Sequence, residues 1–131
     1  MQMITAIDHI GIRVADLATA RQFYQQLGFI FIEGPVGPEP VAIMRHPSGV
    51  VINLILNADS SPLDNILMDV PQKHAGYTHF AFNVTDLQGV QQHLENCAIE
   101  ITEGPVDFGP KHGASIFIRD QDRNVIEFHQ S

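Results

Sequence analysis

The amino-acid sequence predicts an α+β fold made of two βαβββ modules in tandem. The first observation is an internal repeat, because residues 7–36 align without a gap on residues 77–106 with nine identities. The second is that residues 45–55 align on residues 119–129 at an offset of seventy-four instead of seventy. Such self-similarity is the signature of a duplicated structural unit. The extra residues of the second copy are expected within "DFGPKHGA".

The first module carries the signals of a strand, a helix and three further strands. Residues 4–14 alternate apolar and polar side chains as a strand does, and Asp16 is suited to cap the helix that follows. Residues 17–27 place apolar side chains at helical spacing, and Gly28 supplies the C-terminal stop. Three short strands, separated by turn residues, are predicted at residues 29–32, 41–45 and 50–56.

The second module repeats this order. Residues 78–84 are predicted to form its first strand, and a helix is predicted from Leu87 to about Cys97. Its last three strands are predicted near residues 99–103, 115–119 and 124–129.

A connector of twenty residues, 57–76, joins the modules. Long structureless segments are unusual inside a compact domain. The apolar residues within 66–70 therefore predict that the connector packs across the domain, either as a strap or as a lid. The chain has the length of one ordinary domain, 1–131, with module one at about 1–56 and module two at about 77–131.

The composition narrows the class of partner. A formal net charge of −8 leaves no basic stripe to neutralise phosphates, so neither nucleic acid nor an anionic membrane is expected to bind. No apolar run is long enough to cross a bilayer. The first residues lack the features of a secretory signal, and the single cysteine, Cys97, cannot form an internal disulfide. We expect a cytoplasmic protein whose ligand is a small molecule.

Each repeated strand has two faces with different side chains. His9 and His79 occupy equivalent positions on the polar faces of the first strands, and Asn53 and Glu127 do so on the last strands. The opposite faces are predicted to pack under the helices through Ile10, Ile12, Val14, Phe80, Phe82 and Val84.

These four polar positions suggest a metal centre. Two imidazoles and one carboxylate, from His9, His79 and Glu127, are the ligand set of an open divalent metal site. Taken singly, each histidine is better explained as an exposed or hydrogen-bonded residue, and the glutamate as a solvated carboxylate. Their coincidence at duplicated positions favours metal binding.

Three stretches in this order resemble the vicinal oxygen chelate superfamily. They are "DHIGIRVADL" followed by "FYQQLGF", then "THFAFNVTDL", and finally "SIFIRDQDRNVIEF". This family includes glyoxalase I, bleomycin resistance proteins, extradiol dioxygenases and fosfomycin-modifying enzymes. The resemblance covers essentially the whole chain and implies two sheets curving round a shared metal-binding cavity. It also implies that His9, His79 and Glu127 bind one divalent ion, of Fe, Mn, Zn or Ni, with Asn53 at the fourth ligand position.

The residue at the fourth position bears on the reaction. Glyoxalase I and the related epimerases usually have a glutamate where this chain has Asn53, and a carboxamide cannot act as a base near neutral pH. Extradiol dioxygenases and fosfomycin enzymes use the His, His, Glu set, but the dioxygenases place a tyrosine where Phe117 stands. The resemblance therefore implies either an extradiol-type dioxygenation or a glyoxalase-like lyase or isomerase step. A metal-free small-molecule binding protein of the resistance type is the alternative.

Further candidates surround this ligand set. Glu127 and His112 are the candidate catalytic residues, and His112 lies in a glycine-flanked loop of the kind that borders binding sites. An exposed loop histidine is the alternative for that residue. Arg13 and Asn83 align with each other on the polar faces and are candidate substrate contacts, together with Phe117. Since the family is commonly homodimeric, a second copy of the chain is the expected protein partner.

Overall fold

The computed structural model describes all residues 1–131, which fall into two compact units, Met1–Ser61 and Pro62–Ser131. Both units have the predicted β-α-β-β-β order, so the α+β class and the tandem modules are confirmed. The elements of the first unit are β1 (Ile10–Arg13), α1 (Leu17–Gln26), β2 (Ile30–Val36), β3 (Val41–Arg45) and β4 (Val51–Ile55). The elements of the second unit are β5 (His79–Asn83), α2 (Leu87–Asn96), β6 (Glu103–Asp107), β7 (Ala114–Arg119) and β8 (Val125–Gln130).

Each unit contains one four-stranded sheet, and the two sheets have the same topology. The strand orders are β1-β4-β3-β2 and β5-β8-β7-β6, with the first and last strands of each unit paired in parallel. Gly11 lies opposite Asn53 in the first sheet, and Ala81 lies opposite Glu127 in the second. The register thus confirms that Asn53 and Glu127 are structural equivalents.

The insertion in the second copy lies in the turn between its second and third strands. Val36 pairs with Val41 in the first unit, and the equivalent pair in the second unit is Val106 with Ser115. The chain closes the same pair over a longer turn in the second unit. This agrees with the location expected from the repeat.

The two helices begin and end in the same way. Asp16 and Asp86 are the N-caps, and each carboxylate accepts a hydrogen bond from the backbone N–H three residues later, at 2.8 and 2.9 Å. The residue after each C-cap has a positive φ, 94° at Gly28 and 56° at Ala98. A left-handed residue at this place terminates a helix. Neither helix is long and apolar enough to cross a bilayer.

The helices cover one face of each sheet. In the first unit, Ala20 and Tyr24 of α1 are buried, and in the second unit Leu87 and Leu94 of α2 are buried. The predicted division of faces holds, although Ile10, Phe80, Phe82 and Val84 are only partly buried. The buried strand residues beneath the helices are Ile12, Ala42, Met44, Ile52, Leu54, Ile116, Ile118, Ile126 and Phe128.

The first strand is shorter than predicted. It begins at Ile10, whereas the alternation of the sequence suggested a strand from Ile4. Ile4 and Ile7 are 69% and 85% exposed. A strand extends only as far as its partner does, and β4 offers partners only to Ile10–Arg13. His9 therefore immediately precedes the strand on which it was expected.

The position of β6 was also predicted wrongly. Residues 99–103 were expected to form this strand, but β6 runs from Glu103 to Asp107. The backbone N–H of Ile99 instead donates to the carbonyl of Leu94 at 2.9 Å, which belongs to the end of α2. Consequently "EGPV" ends the second strand in the first unit but begins it in the second.

The connector contains no helix or strand, and its later part is bound to the second unit as a strap. Arg119 of β7 donates two hydrogen bonds to Asp69, at 2.6 and 2.7 Å. The side-chain amide of Asn65 donates to the carbonyl of Arg123 at 3.0 Å. Ile66, which was expected to pack, is 65% exposed.

This strap predicts a pH-dependent stability. The hydrogen bonds from Arg119, followed by the backbone N–H of Asn65, hold the pKa of Asp69 well below its ordinary value of 3.8. A lowered folded-state pKa stabilises the fold above 3.8, and the stabilisation disappears as pH falls below that value. We expect wild type to have a higher free energy of unfolding than Asp69→Asn, and this difference should shrink as the pH falls below 3.8. Urea unfolding at several pH values measures it. Asp59→Asn, at an exposed connector residue, is the control, and a gap independent of pH would contradict the prediction.

Candidate functional site

The candidate site is built on the polar face of the second sheet, opposite the face covered by α2. On β7 and β8, Ser115 lies opposite His129 and Phe117 lies opposite Glu127. Directly opposed residues of paired strands project from the same face. His79, at the start of β5, adds its ring to this face beside Glu127. Residues separated by up to fifty positions in the sequence thus meet on one surface.

His79 and Glu127 form the centre of this surface. Their Nε2 and Oε2 atoms are 3.0 Å apart, and their side chains are 33% and 13% exposed. The other ring nitrogen of His79, Nδ1, is 2.8 Å from the hydroxyl oxygen of Thr78. The ring of Phe117 meets the His79 ring edge-on, with centroids 5.9 Å apart. The imidazole is therefore oriented by a hydroxyl group and a phenyl ring, with Nε2 directed at the carboxylate.

Ser115 holds the other oxygen of the carboxylate. Its side chain is completely buried, and its hydroxyl donates to Oε1 of Glu127 at 2.6 Å. The same hydroxyl oxygen lies 2.8 Å from Nδ1 of His129. Because the single hydroxyl proton is given to Glu127, His129 must donate from Nδ1. One carboxylate oxygen of Glu127 thus accepts from Ser115, and the other lies next to Nε2 of His79.

Serine, histidine and glutamate in contact do not make a nucleophilic triad here. The hydroxyl of Ser115 is shielded from solvent and donates its proton to a carboxylate instead of an imidazole. A nucleophilic serine must reach a substrate carbonyl and give its proton to the base. The arrangement orients Glu127 instead.

Sequence reasoning did not single out Ser115. It placed His129 on the face of Glu127 but favoured a terminal surface residue over a residue that supports the ligands. The signal was present in the alternation of β7, where Ser115 shares the face of Phe117. Recognising it required the register between β7 and β8, which brings Ser115 and His129 together from positions fourteen residues apart.

In the first unit, His9 lies just before β1. Its Nδ1 is 2.7 Å from a carboxylate oxygen of Asp8, and its side chain is 45% exposed. Asn53 lies on β4 between Gly11 and Ile43, as the equivalent of Glu127. Its surroundings differ from those of Glu127, because aliphatic residues occupy the positions equivalent to Ser115, Phe117 and His129. These residues are Val41, Ile43 and Ile55.

The other predicted contacts are distributed over both units. Arg13 donates from Nε to Asn57 at 2.8 Å and lies 3.7 Å from Glu39, so its charge already has an acidic neighbour. Asn83 ends β5 opposite His129 and is exposed. His112 is exposed in the turn between β6 and β7.

The spacing of two donor atoms in the second unit is compatible with neighbouring ligands of one metal ion. Two ligands about 2.1 Å from one ion and at right angles to each other lie about 3 Å apart, as Nε2 of His79 and Oε2 of Glu127 do. In metal-binding histidines the second ring nitrogen is usually held by a neighbouring polar group, and Thr78 and Asp8 supply such groups. Within either unit, no three His, Cys, Asp or Glu side chains form a group able to hold an ion. The second unit thus brings His79 and Glu127 together, and the ligand set of His9, His79 and Glu127 stays a prediction.

Comparisons with known proteins place this fold among related structures. A virulence protein of Salmonella typhimurium is 27% identical, with a TM-score of 0.69 over 98% of each chain. A mutant of the fosfomycin resistance protein FosX of Listeria monocytogenes, complexed with Mn(II) and 1S,2S-dihydroxypropylphosphonic acid, is 18% identical. Its TM-score is 0.73 over 98% of this chain and 94% of that one. Lactoylglutathione lyase of Agrobacterium tumefaciens is 20% identical, with a TM-score of 0.69 over 99% of this chain and 96% of that one.

The match to a family extends over nearly the whole chain. A search of curated proteins found no match. The model of the glyoxalase/bleomycin resistance protein/dioxygenase superfamily, however, matches residues 6–128 and so includes both modules. The chain therefore belongs to the glyoxalase/bleomycin resistance protein/dioxygenase superfamily.

Proposed function

We propose that this protein is a divalent-metal-dependent enzyme whose small substrate chelates the metal through adjacent oxygens. His9, His79 and Glu127 are the proposed ligands of one ion of the Fe, Mn, Zn or Ni type. The observation that carries the proposal is the approach of His79 Nε2 to Glu127 Oε2 at 3.0 Å on a polar sheet face. The Mn(II) complex of FosX, a protein of the same fold, supports the choice of a divalent ion.

Neighbouring side chains of this protein orient the proposed metal ligands. An ion bound there would act as a Lewis acid and as a template for the substrate oxygens. Asp8 and Thr78 hold Nδ1 of the two histidines, which leaves Nε2 as the ligand atom of each ring. Asn53 contributes a neutral amide oxygen at most, either to the ion or to the substrate.

Extradiol-type dioxygenation is the first reaction we propose. In the proposed site both oxygens of Glu127 are engaged, Oε1 by the hydroxyl of Ser115 and Oε2 by the ion, so we assign the movement of a substrate proton to another residue. A glyoxalase-like lyase or isomerase step needs such a mobile base. That step is our second proposal, with His112 as the acid–base residue because its ring is exposed on a turn between two glycines. The likeness to lactoylglutathione lyase supports this second reaction.

Reconstitution with metal tests the proposal. We expect the protein, stripped of metal and titrated separately with Mn(II), Fe(II), Zn(II) and Ni(II), to bind one equivalent of at least one of these ions. Anaerobic loading with Fe(II), followed by oxygen uptake with catechols, tests the dioxygenase. Hemithioacetal turnover after loading with Ni(II) or Zn(II) tests the lyase. His9→Ala should abolish stoichiometric binding if His9 is the third ligand, and unchanged binding would remove it from the ligand set.

A metal-free binding protein is the candidate function from another class. The 3.0 Å contact between His79 and Glu127 is also that of a direct hydrogen bond, in which the two side chains satisfy each other without an ion. Failure to bind any of the four ions, together with saturable binding of a small aromatic or anionic ligand, would establish this alternative and refute the enzyme.

We also propose a homodimer in the cytoplasm. Apolar side chains that stay exposed in one chain are candidates for contact with a second copy, and the segment before β1 carries four of them. They are Met1, Met3, Ile4 and Ile7. Light scattering should give the mass of a dimer, and a monomer at micromolar concentration would contradict it. The single, partly buried Cys97 agrees with a reducing compartment.

A further inference from the structure

We propose that Ser115 is a positioning residue that determines which carboxylate oxygen of Glu127 binds the metal ion. The inference rests on the proposed function and extends it from the ligands to the groups that orient them. Ser115 occupies Oε1, so Oε2 is the ligand oxygen and the carboxylate binds through one oxygen only.

The geometry around Ser115 leaves its hydroxyl a single orientation. The group is completely buried, and its donated hydrogen bond to Oε1 is short, at 2.6 Å. Nδ1 of His129 approaches the hydroxyl oxygen at 2.8 Å, whereas it lies 3.8 Å from Oε1 itself. His129 thus acts on the carboxylate through Ser115. A hydroxyl that accepts one hydrogen bond and donates another cannot rotate without breaking both.

This fixed hydroxyl limits how the carboxylate can bind an ion. Carboxylates bind metals through one oxygen or through both. An oxygen that already accepts a short hydrogen bond within the protein is the poorer metal ligand of the two, since binding the ion with it would require the hydroxyl to move. Oε2 is the oxygen that faces Nε2 of His79. Each proposed ligand of the second unit therefore has its other polar atom held, by Thr78 in one case and by Ser115 in the other.

The first unit provides an internal comparison. It has the same sheet and the same register, but Asn53 replaces Glu127. Valine and isoleucine, Val41 and Ile55, then stand where the second unit has Ser115 and His129. The fold does not require a serine and a histidine at these places. They are present in the unit that has the carboxylate and absent from the unit that lacks it. This indicates that their role is to orient Glu127.

Replacing Ser115 by alanine tests the inference. We expect Ser115→Ala to bind Mn(II) and Co(II) about 10- to 100-fold more weakly than wild type, the usual effect of losing a group that orients a metal ligand. The visible spectrum of the Co(II) form should also change, because a released carboxylate can bind through both oxygens. The matched control is Ser48→Ala, which removes a serine hydroxyl 2.7 Å from Nδ1 of His46 in a turn of the first unit. This control should leave affinity and spectrum unchanged.

The possible results separate this inference from the proposed function. If wild type binds no ion, both are overturned. If wild type binds an ion and folded Ser115→Ala keeps its affinity and Co(II) spectrum, only the role of Ser115 is overturned. If Ser115→Ala does not fold, as judged by circular dichroism, His129→Leu replaces it. That variant should lose at least about threefold in affinity, and an unchanged value would likewise overturn the inference.

Discussion

Gly34→Ala is expected to lower the free energy of unfolding by about 3 kcal/mol, near the upper end for a single substitution. Gly34 has φ 138°, in the region that side chains with a Cβ rarely adopt. A Cβ there would lie 2.5 Å from Cα of Ala42 and 2.7 Å from the carbonyl oxygen of Val41. Both are backbone atoms of the neighbouring strand β3, so relief would require the β2–β3 pairing to move. Urea unfolding measures the loss.

A matched glycine separates the steric cost from the cost of the dihedral angle. Gly49 also has a positive φ, 100°, but a Cβ there meets nothing within 4 Å. Gly49→Ala should therefore cost only the backbone strain, about 1 kcal/mol. Gly104→Ala, where a Cβ would lie 2.7 Å from the carbonyl oxygen of Ser115, should resemble Gly34→Ala. Equal losses of unfolding free energy in Gly34→Ala and Gly49→Ala would show that the close approach of β2 and β3 does not contribute to the cost.

Glu127→Gln is expected to weaken metal binding at least about a hundredfold, more than the loss of a merely orienting group. Glutamine has nearly the same shape but no charge, so the proposed site loses its only anionic ligand. Stability without metal should change little, within about 1 kcal/mol, because an amide oxygen still accepts from Ser115. Isothermal titration with Mn(II) or Zn(II), together with thermal unfolding of the metal-free proteins, checks both parts.

Asn53→Ala is the control in the other module. Its side chain occupies the position equivalent to Glu127, but its amide oxygen is a weak neutral donor. We expect a loss of affinity well below that of Glu127→Gln. An equal loss in the two variants would mean that Asn53 is a full ligand.

Much of the fold was predictable because the chain contains it twice. The repeat located the insertion, gave the order of elements and made Asn53 the equivalent of Glu127, all of which the registers bear out. The approach of His79 to Glu127 followed from alternation along two strands, since both residues were assigned to polar faces. Local sequence patterns are enough to predict the elements where both copies show the same pattern.

What could not be predicted depends on pairing between distant segments. Ile4 and Ile7 continue the alternation of β1, but no partner strand extends to them, and a single sequence does not reveal where a partner ends. Residues 99–102 resemble a strand, yet Ile99 completes the helix end instead. The role of Ser115 depends on its cross-strand neighbours Glu127 and His129. Each of these features was decided by tertiary structure.

The strand order has a consequence for the biosynthesis of the protein. In the second unit β8 is made last but lies between β5 and β7. As the chain leaves the ribosome, β5 therefore has no sheet partner until Val125–Gln130 has emerged. At that stage all strands of the first unit have already been synthesised. Such pairing of distant segments slows folding and leaves unpaired edges open to aggregation. The second unit is thus completed later than the first, and the edge of β5 is the part of its sheet exposed in the meantime.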